Sequence, residues 1–545
     1  MSCLLVALLV SQVPQFQPVR LIVTSDLHGR VRSSCDFDAP GEPRRRLGGW
    51  QGLLEAIESE SDASTVLLDC GDFAFGSPEA DSSHGRTQID FMNRAGYAAA
   101  ALGARDFTGG AANLEILAGQ AEFRVLSDPM LDVVLNRRLP MFRPYAVKRV
   151  GMARIGLVGL ADPRIPKANG TDDTRGFDPG DVVSQFRRYL PAVLAETADV
   201  LVCFGHVTTA EAGLLLDSFP QLDLVFCPED GGEVRSGVVP VSSYGRRLAV
   251  VDLLYHVREQ RPELSQVRHV NVQGSDGETL PPELAGAVLP GMDSVALFAG
   301  SENGVGERGQ VSLASTVAEA VRQETGTDVV LLPVGAVEPG LPAGELTGRD
   351  LYRCVPFHTR LRWAMLDDTC LHRLFSVADP SELAPALAGA GYFVLADTTR
   401  WPLADQVARV RTAGHGKTCR VASTALIFER SGLGVESRPI ERSLSELWLD
   451  WCGRRDTLEP VAPASLYRAA AGMLEEEAAP SGPININTAT AALLERLPGI
   501  GPKTAERIIA YRAAHGRFNS VDALRNVKGI GPKKLAKLRP LVTVR

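Results

Sequence analysis

The sequence predicts an α/β fold for most of the chain and a small helical domain at its end. Between residues 18 and 256, short apolar runs typical of buried strands alternate with segments whose apolar residues recur at helical spacing. This alternation is typical of layered α/β domains. Beyond residue 483 the pattern changes to basic amphipathic helices that follow Gly-Ile-Gly turns. The length of 545 residues is sufficient for three or four domains.

The predicted strands end in groups that could carry chemistry. Strands are predicted at 21–26, 64–72, 97–106, 153–162, 198–206 and 222–230, and helices at 50–60, 88–96, 181–198 and 208–219. In open α/β sheets, functional groups gather at the carboxyl ends of the strands. Five of these ends offer Asp, Glu or His: Asp26 with His28, Asp72, Arg105 with Asp106, His206, and Glu229 with Asp230. The sequence therefore predicts a polar site at one edge of the sheet.

The charge is divided unevenly along the chain. Hydrophobic residues make up 45% and charged residues 22%, a balance that excludes a disordered, collagen-like or coiled-coil protein. Residues 484–545 contain 12 Lys and Arg against 3 Asp and Glu, a net charge of +9, whereas residues 1–483 carry −17. A basic tail on an acidic body indicates a module that binds polyanions.

The nine cysteines are dispersed, with no Cys-x-x-Cys pair, which argues against a disulfide scaffold or a zinc ribbon. Cys70, Cys203 and Cys227 lie at strand ends near the predicted site. We interpret them as small buried hydrophobes. The alternative is a thiolate ligand for a softer metal such as zinc.

The N-terminus carries an apolar run of about the length of a signal-peptide core, although no basic residues precede it and no clean cleavage site follows. On the length of this run, residues 1–17 are a candidate signal peptide, which favours export to the periplasm or the extracellular space. The alternative is a first strand in a cytoplasmic protein. Runs of about 18 apolar residues are absent, so the sequence does not predict a membrane-spanning helix.

The remaining boundaries follow from changes in composition. The first α/β domain is predicted at 18–256, a polar, Pro-containing linker at 257–296 and a second α/β domain at 297–460, with a helix at 315–324 and a strand at 327–335. An acidic linker at 461–482 then leads to the basic tail at 483–545.

The tail contains one motif twice. Leu-Pro-Gly-Ile-Gly-Pro-Lys at 497–503 recurs as Val-Lys-Gly-Ile-Gly-Pro-Lys at 527–533. Glycines allow positive φ and close backbone approach, and a proline suits the first position of a helix whose N-terminus attracts anions. The predicted phosphate-binding residues are Gly499, Gly501, Lys503, Thr504, Gly529, Gly531, Lys533 and Lys534.

In order and spacing, residues 483–544 resemble the tandem helix-hairpin-helix domain of the bacterial competence DNA receptor family. The shared features are the opening Asn-Ile-Asn-Thr-Ala, both Gly-Ile-Gly turns, the Ile-Ile-Ala-Tyr-Arg helix and the His-Gly-Arg-Phe-Asn-Ser connection. The resemblance implies binding to the sugar-phosphate backbone of duplex DNA across the minor groove, without base reading. Docking of a protein partner is the alternative.

The body resembles the metallophosphoesterase domain of the 5′-nucleotidase family. The motifs are LIVTSDLHGR at 21–30, LLDCGDFAFGS at 67–77, CFGH at 203–206 and SSYGRRLAVVDL at 242–253. The resemblance implies a four-layer α/β/β/α sandwich. It also implies that Asp26, His28, Asp72 as the bridging carboxylate, and His206 bind a divalent metal such as Mn²⁺, Zn²⁺ or Mg²⁺.

The family pattern breaks at two places. Where the family has Gly-Asn-His-Glu, this chain has Gly-Ala-Arg-Asp at 103–106, and where it has Gly-Gly-His-x-His, this chain has Cys-Pro-Glu-Asp-Gly at 227–231. In one interpretation, Glu229 replaces a lost ligand and Arg105, with Asp106 beside it, serves catalysis. In a second, Asp26, His28 and Asp72 hold a single ion. In a third, no ion binds and the residues are relics.

Residues 317–361 resemble the substrate domain of the same family. Leu-Pro-Ala-Gly-Glu-Leu-Thr at 341–347 is retained, but the phosphate-gripping Asn-Gly-Gly-Gly-Ile-Arg turn has become Pro-Val-Gly-Ala-Val-Glu at 333–338. A carboxylate at Glu338 would repel a nucleotide phosphate. This argues against a nucleoside monophosphate as the substrate.

The sequence thus predicts a sequence-nonspecific DNA-binding protein that carries a divergent metallophosphoesterase module of altered or reduced activity. The alternative function is an active metal-dependent phosphoester hydrolase, either a nucleotidase or a phosphodiesterase, which the tail targets to nucleic acid.

Overall fold

The computed structural model of the protein divides into two compact units, Met1–Ser465 and Leu466–Arg545. The structure describes residues 14–35, 46–127, 131–132, 137–138, 142–163, 179–229, 232–274, 280, 284, 292, 294–299, 306–332, 337, 341, 344–355, 359–367, 370, 392–396, 407–412, 418–424, 428, 434–458, 484–487, 489, 494, 497 and 500–544.

The first part of the body, up to residue 274, alternates strands with helices as predicted. Its strands are β1 (Phe16–Thr24), β2 (Ser34–Cys35), β3 (Arg46–Leu47), β4 (Thr65–Asp69), β5 (Ala99–Ala100), β6 (Arg124–Val125), β7 (Leu131–Asp132), β8 (Arg137–Arg138), β9 (Tyr145–Val150), β10 (Ala153–Leu160), β11 (Val200–Gly205), β12 (Leu224–Pro228), β13 (Val238–Val241), β14 (Arg247–His256) and β15 (Arg261–Asn271). Its helices are α1 (Trp50–Glu60), α2 (Pro78–Ser82), α3 (Arg86–Ala95), α4 (Gly110–Gln120), α5 (Val182–Ala195) and α6 (Thr209–Ser218).

Two large sheets form the centre of this domain. One has the strand order β15-β14-β1-β4-β5-β6 and the other β13-β12-β11-β10-β9. β1 pairs in parallel with β4 and antiparallel with β14, while β11 pairs in parallel with β10 and β12. The carboxyl ends of β1 and β4 therefore lie side by side.

The apolar pattern of the strands explains the layers. Because successive side chains of a strand point to opposite faces, Leu21 and Val23 of β1 pack in one core and Ile22 packs in another. The first core lies between the two sheets and includes Phe204 and Phe226. The second contains residues of α1, α3 and α4, and a third contains residues of α5 and α6. The predicted four-layer α/β/β/α sandwich is confirmed.

The predicted linker at 257–296 is wrong for its first part. Residues 261–271 form β15, which pairs antiparallel with β14 along its length. Proline near the start of this segment suggested a connector, but Pro262 lies on an edge strand, where a missing N–H group is tolerated. The predicted strand at 97–106 is also shorter, since only Ala99–Ala100 is extended and Ala104–Phe107 forms a 3₁₀ turn.

The second part of the body is a smaller α/β domain. Its strands are β16 (Val295–Ala299), β17 (Val329–Val330), β18 (Gly344–Thr347), β19 (Arg360–Asp367), β20 (Tyr392–Ala396), β21 (Val407–Thr412), β22 (Thr418–Thr424), β23 (Arg438–Ser443) and β24 (Thr457–Leu458), and its helices are α7 (Gly306–Thr325), α8 (Gly348–Cys354) and α9 (Leu444–Cys452). The sheets run β18-β16-β24 and β17-β22-β19-β23 and share an apolar core with α7 and α9. Glu338 lies outside the described residues.

The tail contains β25 (Ile484–Asn485), β26 (Val542–Thr543), α10 (Pro502–His515) and α11 (Pro532–Leu538). Its two ends meet, because β25 pairs in parallel with β26. Asn487 strengthens this closure: its side chain accepts a hydrogen bond from Phe518 N at 2.7 Å and donates to Phe518 O at 3.0 Å and Val544 O at 3.1 Å. The tail therefore has a core and a closure of its own.

The candidate signal peptide falls mostly on residues 1–13, which lie outside the described part. None of the helices that the structure describes combines the length and the apolar character needed to cross a membrane.

Candidate metal centre and nucleic-acid interface

Three side chains converge where β1, β4 and β11 end. Asp26, Asp72 and His206 each offer a ligand atom, and these atoms lie within 4.8 Å of one another. His206 Nε2 is 2.9 Å from Asp26 Oδ1 and 3.3 Å from Asp72 Oδ2. The cluster joins two neighbouring strands of the first sheet to one strand of the second. Three of the four ligand positions implied by the family resemblance thus meet at one point.

Two loops carry the carboxylates of the cluster: the first ligand loop follows β1 and contains Asp26 and His28, and the second follows β4 and contains Asp72. Their backbone has an unusual conformation. Asp26, His28 and Asp72 have φ angles of 49°, 49° and 57°, in the left-handed region that side chains other than glycine rarely adopt. The two loops are bonded to each other through Asp26 N to Gly71 O at 3.0 Å and His28 N to Asp72 O at 3.1 Å. Backbone strain of this kind collects at functional sites, where the surrounding structure enforces it.

Opposite charges stabilise each other inside the cluster. Burial opposes ionisation of Asp26, but the charges of His206 and His28 and a hydrogen bond from Ser25 lower its pKa to about 2. Burial also acts against a charged imidazole at His206, yet the carboxylates of Asp72, Asp26 and Asp162 raise its pKa to about 10. A proton on His206 thus balances part of the carboxylate charge that a cation would neutralise.

One further carboxylate lies at this site and was not predicted from the sequence. Asp162 follows β10, is buried, and places Oδ2 3.6 Å from His206 Nδ1. A carboxylate on the outer nitrogen of a ligating histidine orients the ring and raises its basicity. The available signal was a carboxylate at the end of the apolar run 153–162, the same signal that identified Asp72. Two carboxylates and one supported imidazole form a donor set that fits a divalent cation.

His28 lies at the border of the cluster. Its Nδ1 is 2.9 Å from the carbonyl oxygen of Phe75, which can only accept a hydrogen bond, so Nδ1 donates. The other nitrogen, Nε2, lies 3.7 Å from Asp26 Oδ1 and is the one that can bind a cation. His28 is thus placed beside the three clustered ligands.

Asp106 supports the ligand loop from behind. Its side chain is fully buried, and its carboxylate accepts four backbone hydrogen bonds at 2.9 Å, from the N–H groups of residues 72, 73, 74 and 103. Burial and then the charge of Asp72 raise the pKa of Asp106 to about 7. The catalytic role assigned to Asp106 stays a prediction, but this geometry favours positioning of Asp72. Arg105 also touches that ligand, since Arg105 N donates to Asp72 Oδ1 at 2.7 Å.

Glu229 and the cysteines stand apart from the cluster. Glu229 is exposed and its carboxylate accepts a hydrogen bond from Thr209, while Asp230 lies outside the described residues. Burial raises the pKa of the Cys70 and Cys203 thiols, and that of Cys227 to about 11. Neutral, buried thiols agree with the interpretation of these cysteines as small hydrophobes.

We expect the apparent Mn²⁺ affinity of the full chain to increase with pH between about pH 6 and pH 8.5. Because the pKa of His206 is raised to about 10, the imidazole is protonated below that pH and must lose its proton to bind metal, which predicts roughly a tenfold gain per pH unit. Calorimetric titrations in buffers of different ionisation enthalpy measure both affinity and proton release. The release should disappear in His206→Gln, and a flat affinity profile in the native chain would contradict the expectation.

In the tail, the two turns present helix N-termini to solvent. Gly501 and Gly531 cap α10 and α11, and a Cβ atom at either position would have no neighbour within 4 Å. Gly529 has a φ of +105°, which explains the glycine there. Lys503 is exposed and Thr504 half-buried in the first turn of α10. Lys534 is half-buried in α11. Gly499 and the side chain of Lys533 lie outside the part of the chain that the structure describes.

The tail is also similar in sequence to known nucleic-acid-binding modules. Residues 480–543 match the helix-hairpin-helix motif family. The chain ends in a helix-hairpin-helix domain. The chain is also 36% identical over 81 residues to ComE operon protein 1 of Bacillus subtilis, an alignment that covers 15% of this chain and 40% of the relative.

Upstream of the helix-hairpin-helix domain, the body has two further similarities. Endonuclease YhcR of Bacillus subtilis is 22% identical over 381 residues, which cover 62% of this chain and 31% of the relative. The crystal structure of a 5′-nucleotidase precursor from Thermus thermophilus superposes with a TM-score of 0.66 at 20% identity, covering 82% of this chain and 98% of the other. The body therefore has the metallophosphoesterase fold of a 5′-nucleotidase. The chain spans less than half the length of both curated relatives.

Proposed function

We propose that this protein is a metal-dependent phosphodiesterase that acts on nucleic acid held by its helix-hairpin-helix domain. The observation that carries the proposal is the convergence of Asp26, Asp72 and His206 within 4.8 Å at the end of the sheets. Supporting groups surround this cluster, since Asp162 lies against His206 and Asp106 holds the loop of Asp72. In this proposal these contacts keep the His206 ring and the loop of Asp72 in position for metal binding.

The residues have distinct tasks in this proposal. Asp26, Asp72 and His206, with His28 beside them, would hold a divalent ion, which when bound polarises a phosphoryl oxygen and lowers the pKa of water. Asp162 keeps the ring of His206 in one orientation. Arg105, whose backbone N–H group donates to Asp72, carries a cation that can stabilise charge developing on phosphate.

Two arguments favour a polymer over a mononucleotide as the substrate. The tail is a helix-hairpin-helix domain with a net charge of +9, which would concentrate nucleic acid near the body. Glu338 stands where the family has a phosphate-gripping arginine, which disfavours a free nucleotide. A relative of the body is named an endonuclease, which supports a nucleic-acid substrate here.

A second candidate function is DNA binding with little or no turnover. Ala104 and Arg105 replace the Asn-His pair that the family uses for a ligand and for leaving-group assistance. Glu229, the candidate replacement for another lost ligand, is exposed and bonded to Thr209. Under this hypothesis the body would be a partner surface that the tail brings to DNA.

Incubation of the full chain with Mn²⁺ and three substrates separates these functions. End-labelled duplex DNA, end-labelled single-stranded DNA and adenosine monophosphate should be compared with and without a chelator. The proposal predicts metal-dependent shortening of at least one labelled DNA and little phosphate from the nucleotide. Phosphate from the nucleotide alone would indicate a nucleotidase, and intact substrates in every reaction would favour the second candidate.

A further inference from the structure

A buried ion pair joins the second α/β domain to the first. Arg349 of α8 faces Glu79 of α2, with Nη1 2.8 Å from Oε2 and Nη2 2.7 Å from Oε1. The Glu79 side chain is fully buried and the Arg349 side chain is 9% exposed. One turn further along α8, the Tyr352 hydroxyl donates a hydrogen bond to Asp81. The two pairs are 270 and 271 positions apart in the chain, so only the tertiary fold brings them together.

Helix α2 in turn packs directly on the first ligand loop. Ser77, the N-cap of α2, donates from Oγ to Gly29 O at 2.6 Å. Gly29 lies so close to Ala80 that an added Cβ would come within 2.3 Å of the Ala80 methyl group. A displacement of α2 would therefore also displace the loop that carries Asp26 and His28.

A second connection leads from Asp81 to the ring of His28. Asp81 accepts from Tyr352 on one carboxylate oxygen and from Gly76 N at 3.1 Å on the other. A Cβ on Gly76 would lie 3.0 Å from His28 Cβ, and the preceding residue, Phe75, accepts the hydrogen bond from His28 Nδ1. The segment that packs against His28 is thus held in place, through Asp81, by Tyr352 of the second domain.

We propose that Arg349 and Tyr352 are positioning residues through which the second domain sets the metal affinity of the site. This inference rests on the proposed function, because it assumes that the cluster binds a divalent ion. Arg349 contacts Glu79 through both terminal nitrogens, with a hydrogen bond from Nη1 and an ion-pair contact from Nη2, and a lysine has only one such nitrogen. Tyr352 holds Asp81 in position, and Asp81 in turn holds Phe75 and Gly76, the segment that orients His28. Separating the two domains would break the Glu79–Arg349 and Asp81–Tyr352 contacts.

The test compares Tyr352→Phe and Arg349→Lys with two control variants of the full chain, Tyr189→Phe on α5 and Arg154→Lys on β10. Calorimetric titration with Mn²⁺ should show binding weakened by about threefold or more in the first pair, the size of effect expected for residues that act on a site through intervening contacts, and unchanged in the controls. DNA cleavage by Tyr352→Phe should recover at saturating Mn²⁺ with an unchanged KM for DNA. Native Mn²⁺ affinity in both test variants would overturn the proposal.

A second measurement does not depend on metal. NMR spectra of the chain with ¹³C-labelled histidine rings report on the His28 ring, whose signal is identified by its loss in His28→Gln. This signal should be displaced in metal-free Tyr352→Phe and unmoved in Tyr189→Phe. An undisplaced signal would overturn the inference. If the native chain binds no Mn²⁺ but the signal moves, the proposed function fails while the coupling between the domains stands.

Discussion

Replacing Asp72 by asparagine should abolish tight Mn²⁺ binding and lower metal-dependent DNA cleavage by at least about 10²-fold, since losing a ligand costs more than losing one of its supporting partners. Asp72 Oδ2 lies 3.3 Å from His206 Nε2, at the centre of the cluster. An amide is a neutral and weaker ligand for a hard cation. DNA binding by the helix-hairpin-helix domain should remain at the native level.

The asparagine variant is suited to this test because it keeps the local structure. Asp72 has a φ of 57°, and asparagine tolerates the left-handed region better than most residues. Its side-chain oxygen can still accept the hydrogen bond that Arg105 N donates at 2.7 Å. A loss of metal binding in a variant with native melting behaviour would then reflect the missing charge and not a collapsed loop.

Calorimetry with Mn²⁺ and a cleavage assay on labelled DNA provide the two readouts. Asp90→Asn, an identical change at an exposed position of α3, is the control and should behave as the native chain. Native cleavage in Asp72→Asn would show that the activity does not use this cluster. Cleavage lost with metal binding intact would place the ion elsewhere in the protein.

The strand ends that meet in the cluster could be predicted from local pattern, whereas their role as metal ligands followed from the family resemblance. Asp26, Asp72 and His206 each follow a short apolar run, and the parallel pairing of β1 with β4 brings the first two together. Periodicity locates strand ends well, since it reflects the burial of alternate side chains.

The supporting groups could not be predicted in the same way. Asp106 looks like another strand-end carboxylate, but four backbone N–H groups surround it, which only the fold reveals. The pairing of Glu79 with Arg349 carries no local signal either, because neither residue lies in a motif. β15 was missed because its proline and its exposed polar residues are typical of both a linker and an edge strand.

Neutralising the basic residues that follow the two tail turns should weaken duplex DNA binding by about tenfold or more at moderate salt. Lys503 and Lys533 occupy equivalent positions in the repeat, each directly after the Gly-Pro that starts a helix. If each contacts one phosphate, the variant Lys503→Gln/Lys533→Gln releases about two fewer counterions on binding. The slope of log affinity against log salt should therefore decrease in magnitude by about 2.

Fluorescence anisotropy with labelled duplexes at several salt concentrations measures this slope. Lys537→Gln is the control, because Lys537 is exposed in the last turn of α11, away from the Gly-Ile-Gly turn. Phosphate contacts position a protein without reading bases, so two duplexes of unrelated sequence should lose affinity equally. An unchanged salt slope would exclude these turns as the phosphate-binding elements. A loss confined to one duplex would contradict sequence-nonspecific binding, because a contact that discriminates between sequences must reach the bases.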